Sequence, residues 1–449
     1  MLVLTMVNLV GLILMFKILK IDKAIKNVIY AYIVFSFFIL VMSQLNPIGL
    51  YNVNYKVYLM WIINIDIFLL IYTMIIGKYK SDIQKNETID KILNSKLILY
   101  LQIILMFILA YYSYRFNLIV KSTIDASQIR IAAFTQLFNS YTESILYNYG
   151  IVTLYRCMTI LTSILIVNKK IKNPICILGI MNIILYMTVG YGRMNLYEFA
   201  IFSIITFFIY HSNTEIKINL KKMFVLITLI ILLLVLSLIP LAIRVGINPF
   251  DFEKIYNVII EKQLMQIITY FTGGFRALDI FLYKGFNLSE TIMPGKATFG
   301  GIDEFIEIIM TAIGKEYTSF NTLVGEITQR DILIGDNIYF NAFYTCIMNF
   351  YFDFGDFGII IGPVIHAMLV GYCTINMCKQ KNIISQILFI FTIMNLFSSI
   401  YRWNYQSGST TFTLLIMIIL NMIIKRRKKS ENTLDSKHDI SISSKANRT

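Results

Sequence analysis

Eleven apolar stretches, each near the length a helix needs to cross a bilayer, leave this chain few ways to fold. A spanning helix takes ~20 mostly apolar residues. Such runs lie at about 2–16, 28–44, 57–77, 97–114, 147–168, 174–191, 194–211, 223–242, 359–378, 383–400 and 410–424. With 57% hydrophobic and 15% charged residues, the 449-residue chain is too apolar for a soluble fold of this size.

Every second link between the runs is lysine-rich. The set is Lys17/Lys20/Lys23/Lys26, Lys78 to Lys96, Lys169/Lys170/Lys172, Lys217/Lys221/Lys222, Lys379/Lys381 and Lys425 to Lys429. The positive-inside rule puts these links in the cytoplasm, the N-terminus outside and the C-terminus inside. The first run has no basic residue before it and four lysines after it, the reverse of a cleavable signal peptide, so it reads as a retained helix. The spacing therefore predicts an all-α polytopic membrane protein with about 11 transmembrane helices and one large extracytoplasmic helical loop. Residues 1–241 form an N-terminal bundle of eight helices, 242–358 the outer loop, 359–424 three further helices, and 425–449 a basic cytoplasmic tail without regular structure.

The net charge of +14 is an orientation signal and not a nucleic-acid footprint, because no arginine cluster marks one surface. Lysine and arginine nevertheless sort differently. On this threading 22 of 29 lysines are cytoplasmic, whereas eight of 11 arginines are outside or within the membrane. Arginines held outside need a reason other than topology, and a doubly bonded anion supplies one, since the planar guanidinium fork matches phosphate oxygens.

Arg193 follows Gly190-Tyr191-Gly192 at an outer turn; it reads as an anion ligand or as a snorkelling partner of Glu198. Arg244 opens the outer loop and equally marks the membrane edge. Arg276 follows Gly273-Gly274-Phe275, glycines that allow a ligand close to the backbone, and could instead pair with Asp279 at i,i+3. Arg402 sits among aromatics in Tyr401-Arg402-Trp403, where it suits a lipid phosphate. Arg156 is mid-helix, where an unpaired charge costs at least ~2.5–3.5 kcal/mol, so it needs Asp66, Glu198 or a ligand. Asp353 and Asp356 bracket Phe354-Gly355 as a general base or as turn and cap residues; Asp336 and the lid acids Asp303/Glu304 are further carboxylates.

Within the loop, the periodicity predicts an amphipathic helix over 251–271, broken at Gly273-Gly274, then helices over 275–283 and 302–313, and a shallow uncharged helix over 337–352. The five scattered cysteines form no CxxC pair and no zinc set, and no cofactor or metal is expected. His211 and His438 fall in the cytoplasm and His366 mid-helix.

Asn337-Ile338-Tyr339, the run Tyr351-Phe352-Asp353-Phe354-Gly355-Asp356-Phe357-Gly358 and the following span with Gly362 and Gly371 resemble the late segment of oligosaccharide repeat-unit polymerases, the Wzy type. The Gly-Tyr-Gly-Arg turn, the Gly-Gly-x-Arg-Ala-Leu element, the span count and the long late loop are similar as well. The chain departs from that pattern at Phe340, where a small hydroxyl residue is expected.

The resemblance implies a metal-independent glycosyltransferase of the bacterial cytoplasmic membrane. It would move a growing glycan from undecaprenyl pyrophosphate onto the next lipid-linked unit, building O-antigen, capsule or exopolysaccharide. The bilayer is its medium, a flippase and a chain-length regulator are the protein partners implied, and nucleic acid is not one. Charge developing on the departing diphosphate would be met by Arg193, Arg276 and Arg402, with Arg244 next; Asn337, Tyr339, Gly273 and Gly274 complete the substrate set, and Asp353 or Asp356 is the available base. The lack of an outward histidine counts against the related ligases. A flippase or other transporter is the alternative, and a structural assembly partner the third.

Overall fold

The computed structural model describes residues 1–77, 79, 89, 93–122, 136–190, 194–211, 228, 253, 261–283, 294–323, 331–340, 344–380 and 382–446. Helices dominate: α1 (Leu2–Ile18), α2 (Lys23–Leu45), α3 (Tyr55–Ile76), α4 (Lys96–Ser122), α5 (Tyr141–Val167), α6 (Pro174–Thr188), α7 (Met194–His211), α8 (Glu261–Tyr283), α9 (Gly300–Ala312), α10 (Cys346–Phe354), α11 (Gly358–Gln380), α12 (Ile383–Ser398) and α13 (Gly408–Ala446). Six of the helical stretches are long and apolar enough to cross a membrane: α2, α3, α4, α5, the α10–α11 pair and the first half of α13. α1, α6, α7 and α12 contribute shorter apolar helices. Of the eleven predicted spans, 223–242 lies outside the described residues.

Local chemistry sets the boundaries. Asp22, Asn54, Asn173 and Asn382 cap α2, α3, α6 and α12 by accepting first-turn amides, and Pro174 occupies the first position of α6. Asn46 ends α2 in the left-handed region (φ 50°) just ahead of Pro47. α3 and α11 pack along their length, joined by a hydrogen bond of 3.0 Å between the Tyr72 and Thr374 hydroxyls. Trp61, Tyr32, Tyr72, Phe37 and Phe68 are fully buried at the centre.

Alternate links gather at opposite ends of the bundle. At one end, Lys26 Nζ donates to Lys17 O (2.9 Å), Lys379 lies 4.9 Å from the Tyr79 ring, and Asn382 donates to Asn421 (3.2 Å). At the other end meet the α2–α3 link, α8, the turn 294–299, α9 and the α12–α13 link. Asn54 N donates to Asp279 (3.2 Å), Trp403 Nε1 to Thr298 O (2.8 Å) and Cys346 N to Ser399 O (3.0 Å). We call these the lysine end and the lid end.

Three expectations are corrected. α8 runs unbroken through Gly273-Gly274, because the bonding ladder continues and Gly273 fills a packing need described below. The fold is not purely helical: β1 (Ile332–Gly335) and β2 (Ile338–Phe340) form an antiparallel hairpin turning at Asp336-Asn337, with Asn337 at φ 56°. Asn337-Ile338-Tyr339 is therefore hairpin, and the helix leading into the next span starts only at Cys346. As expected from the sequence, this helix and the following span are separate, α10 and α11 being broken by Gly355 at φ 56°. Finally, α13 continues through the tail to Ala446, since no proline or further glycine interrupts Gly408 to Ala446.

Candidate functional site

Arg276 is buried, only 2% exposed, and its five N–H groups meet five acceptors. Nε donates to Tyr51 O (3.0 Å), one terminal nitrogen to Ser43 Oγ and Thr272 O (both 3.0 Å), the other to Ser43 O (3.0 Å) and Asn46 Oδ1 (3.2 Å). Ser43 lies in the last turn of α2, where carbonyls lack intrahelical partners and a cation is favoured. Burial depresses the guanidinium's pKa, countered by Tyr58. Arg276 thus clamps α8 to the α2–α3 link, and the expected diphosphate contact is corrected to a brace. Asp279 takes the Asn54 amide instead of forming the i,i+3 pair.

Gly273 serves the same junction. A Cβ there would stand 2.8 Å from the Phe340 ring and 3.2 Å from Ile334, so the glycine admits the hairpin and not a ligand. This is also why Phe340 is buried and not a small hydroxyl residue. Gly274 is buried in the same helix. Asn337 and Tyr339 are exposed on the hairpin, away from a shared cavity with Arg276.

The carboxylates divide by role. Asp353, buried in α10, accepts from Ala297 N (2.8 Å) and Thr298 N (2.6 Å), pinning the turn before α9. Its oxygens are committed to backbone, the turn-forming alternative of the sequence reading. Asp356 is exposed in the 3-10 turn Gly355–Phe357. Asp303, buried, takes Phe320 N (2.6 Å) and the Tyr317 hydroxyl. Asp336 is exposed in the hairpin turn.

Arg402 is placed otherwise. It lies in the α12–α13 link, half-buried. Burial depresses its guanidinium's pKa; Tyr270, Tyr401 and Glu198 oppose that shift, and Arg156 adds to it. Glu198 of α7 lies within electrostatic range of both Arg156 of α5 and Arg402. Arg156 reaches Ser409 Oγ (3.4 Å) and Thr413 Oγ1 (3.5 Å) on α13. Of the partners open to Arg156 from sequence, Asp66 is held by Asn8 (2.9 Å), leaving Glu198 as the neighbouring acid. Two cations thus lie within electrostatic range of one carboxylate, and all three side chains are half-buried. Arg193 and Arg244 lie outside the described residues; Arg193 adjoins the first residue of α7 in sequence.

Ser409 also borders a cleft of about 460 Å³ between α5, α9 and the start of α13, within the roughly 300–1,000 Å³ typical of small-ligand sites. Its α5 wall runs from the first turn, Tyr141–Ile145, into a π-helical segment, Leu146–Ile151, a distortion frequent at functional sites. Glu304 organises the cleft: it accepts from Tyr149 Oη (2.5 Å), Gly408 N (2.9 Å) and Asn321 Nδ2 (3.0 Å). Its charge sits at the N-terminus of α13, where an anion is favoured. A Cβ at Gly408 would meet the Tyr149 oxygen at 2.4 Å, so that approach requires glycine. Glu307 takes Ser319 Oγ (2.6 Å) and Thr322 Oγ1 (3.2 Å). Tyr149, Glu307 and Ser409 escaped the sequence reading; the acids at 303, 304 and 307 opposite an apolar stripe were the available signal. No protein-family model, no curated protein and no solved structure matches this chain.

Proposed function

We propose that the chain is a membrane glycosyltransferase of the repeat-unit polymerase type, acting on lipid-diphosphate-linked oligosaccharides at the lid end. On this reading the lid end faces outward, the lysine end faces the cytoplasm, and undecaprenyl pyrophosphate is the departing carrier. The observation that carries the reading is that Arg156 reaches Ser409 on the wall of a polar cleft while Arg156 and Arg402, from elements far apart in sequence, both lie within electrostatic range of Glu198. Two fixed guanidiniums against one acid leave net positive charge, which stabilises charge building on a leaving diphosphate. Arg193, next to α7, joins them in this proposal, whereas Arg276 does not. The acceptor sugar occupies the cleft on the far side of Ser409.

The test is incubation of purified protein with lipid-diphosphate-linked repeat units. A ladder of products supports polymerisation, and unchanged substrate refutes it. Transport is the second reading, favoured by Asp66, which meets Asn8 within helices α3 and α1. Movement of fluorescent lipid-linked units across vesicles without new glycosidic bonds would establish it.

A further inference from the structure

We propose that the cleft between α5, α9 and α13 is a saccharide subsite that admits neutral or amino sugars and excludes carboxylated ones. The inference rests on the polymerase reading only for the kind of molecule that reaches the cleft; the selectivity comes from its walls. Glu304 and Glu307 line it, and among the described residues no lysine, arginine or histidine does. Most of the remaining lining is hydroxyl or amide, including Ser144, Asn148, Ser407 and Ser409.

The donors are largely spent inside the protein. Asn321 gives its amide hydrogens to Glu304 and Gln406 O, Tyr149 its hydroxyl to Glu304, and Ser319 its hydroxyl to Glu307. What faces the cleft carries two carboxylate charges and, among the described lining residues, no cation to balance them. A ligand must then bring donors, as sugar hydroxyls, acetamido N–H or an ammonium do. A uronate would bring acceptors and charge against two carboxylates, a like-charge juxtaposition that disfavours binding. Tyr141, mostly exposed, offers a ring face on which a pyranose can stack.

On the other side of Ser409 the sign reverses, with Arg156 and Arg402 near Glu198. A molecule with a donor-rich sugar at one end and a diphosphate at the other has one electrostatically favoured orientation across this boundary. The cleft therefore fixes substrate direction as well as sugar type.

The test uses full-length protein in detergent and saturation-transfer NMR with three probes: an N-acetylglucosamine trimer, a glucosamine trimer and trigalacturonate. The first two should bind, with trigalacturonate weaker by at least about tenfold, and Glu307→Gln should narrow that gap to within about threefold. Thr322→Lys, at an exposed position on the cleft wall, should shift preference toward trigalacturonate even if Glu307→Gln fails to fold. Equal binding of trigalacturonate by the wild type, or no binding of any probe, overturns the proposal. So does unchanged discrimination in folded Glu307→Gln and Thr322→Lys. The ladder assay run in parallel separates the two claims. A ladder without sugar discrimination sinks the subsite alone; discrimination without a ladder sinks the polymerase reading alone.

Discussion

Replacing Arg276 should unfold the lid junction before it affects chemistry. Of its five acceptors, Ser43 Oγ keeps Tyr58 Oη at 3.0 Å, Asn46 Oδ1 keeps Leu50 N at 2.8 Å, and Thr272 O keeps its helical amide. Ser43 O and Tyr51 O are left bare. Each unsatisfied buried acceptor costs roughly 1–3 kcal/mol. Relief of the guanidinium's own burial offsets part of this, while lost packing of its stem adds back. We expect Arg276→Ala to cost ~3 kcal/mol, and Arg276→Lys less, because three donors can serve only part of the five-acceptor set. At ~2–4 °C per kcal/mol for a mid-sized domain, the alanine variant should melt lower by roughly 5 °C or more. The assay is thermal unfolding of purified protein in detergent, alongside chain-length analysis of the product. Activity should fall in step with stability and recover on cooling. An alanine variant that melts like the wild type yet makes no polymer would refute the brace and return Arg276 to the ligand site.

Three other outcomes are expected. Gly273→Leu should loosen the hairpin by driving into Phe340, at a cost of ~1–3 kcal/mol typical of overpacking, and Gly273→Leu/Phe340→Ala should recover part of the melting temperature; no recovery would deny the contact. Gly408→Val should break the Glu304–Tyr149–Gly408 node, seen as a lowered melting temperature that Gly150→Ala does not share, since a Cβ at Gly150 meets nothing within 4 Å. Product formation should survive chelators, because guanidiniums take the charge a metal would neutralise; loss with EDTA and rescue by a divalent ion would contradict that.

The helices were legible because each must satisfy its own backbone and present about a turn-counted length of apolar side chains. The alternation of lysine-rich and lysine-poor links was legible from charge, and the described links fall at two opposite ends of the bundle. The hairpin was not read, although Gly335-Asp336-Asn337 between Ile334 and Ile338 is a turn signal; the surrounding aromatics suggested a helix. Gly273-Gly274 misled in the opposite direction. Glycine's meaning depends on what approaches it, and Phe340 lies 67 residues away in sequence. Arg276 and Arg402 looked alike as outer-loop arginines. One meets acceptors from the end of α2, the α2–α3 link and its own helix, the other lies within electrostatic range of a carboxylate and a second arginine, and no local pattern encodes that difference. Glu198 was legible as a candidate partner of Arg156, but the addition of Arg402 from a third, separated element emerges only on packing.

The most direct measurement is the product distribution from Arg156→Lys and Arg402→Lys proteins that melt at the wild-type temperature, each supplied with lipid-diphosphate-linked repeat units. Both should stall at single units while the wild type builds a ladder, because an ammonium cannot reproduce the two-pronged grip on a diphosphate. Wild-type ladders from both variants would contradict the assignment of these arginines to the leaving group.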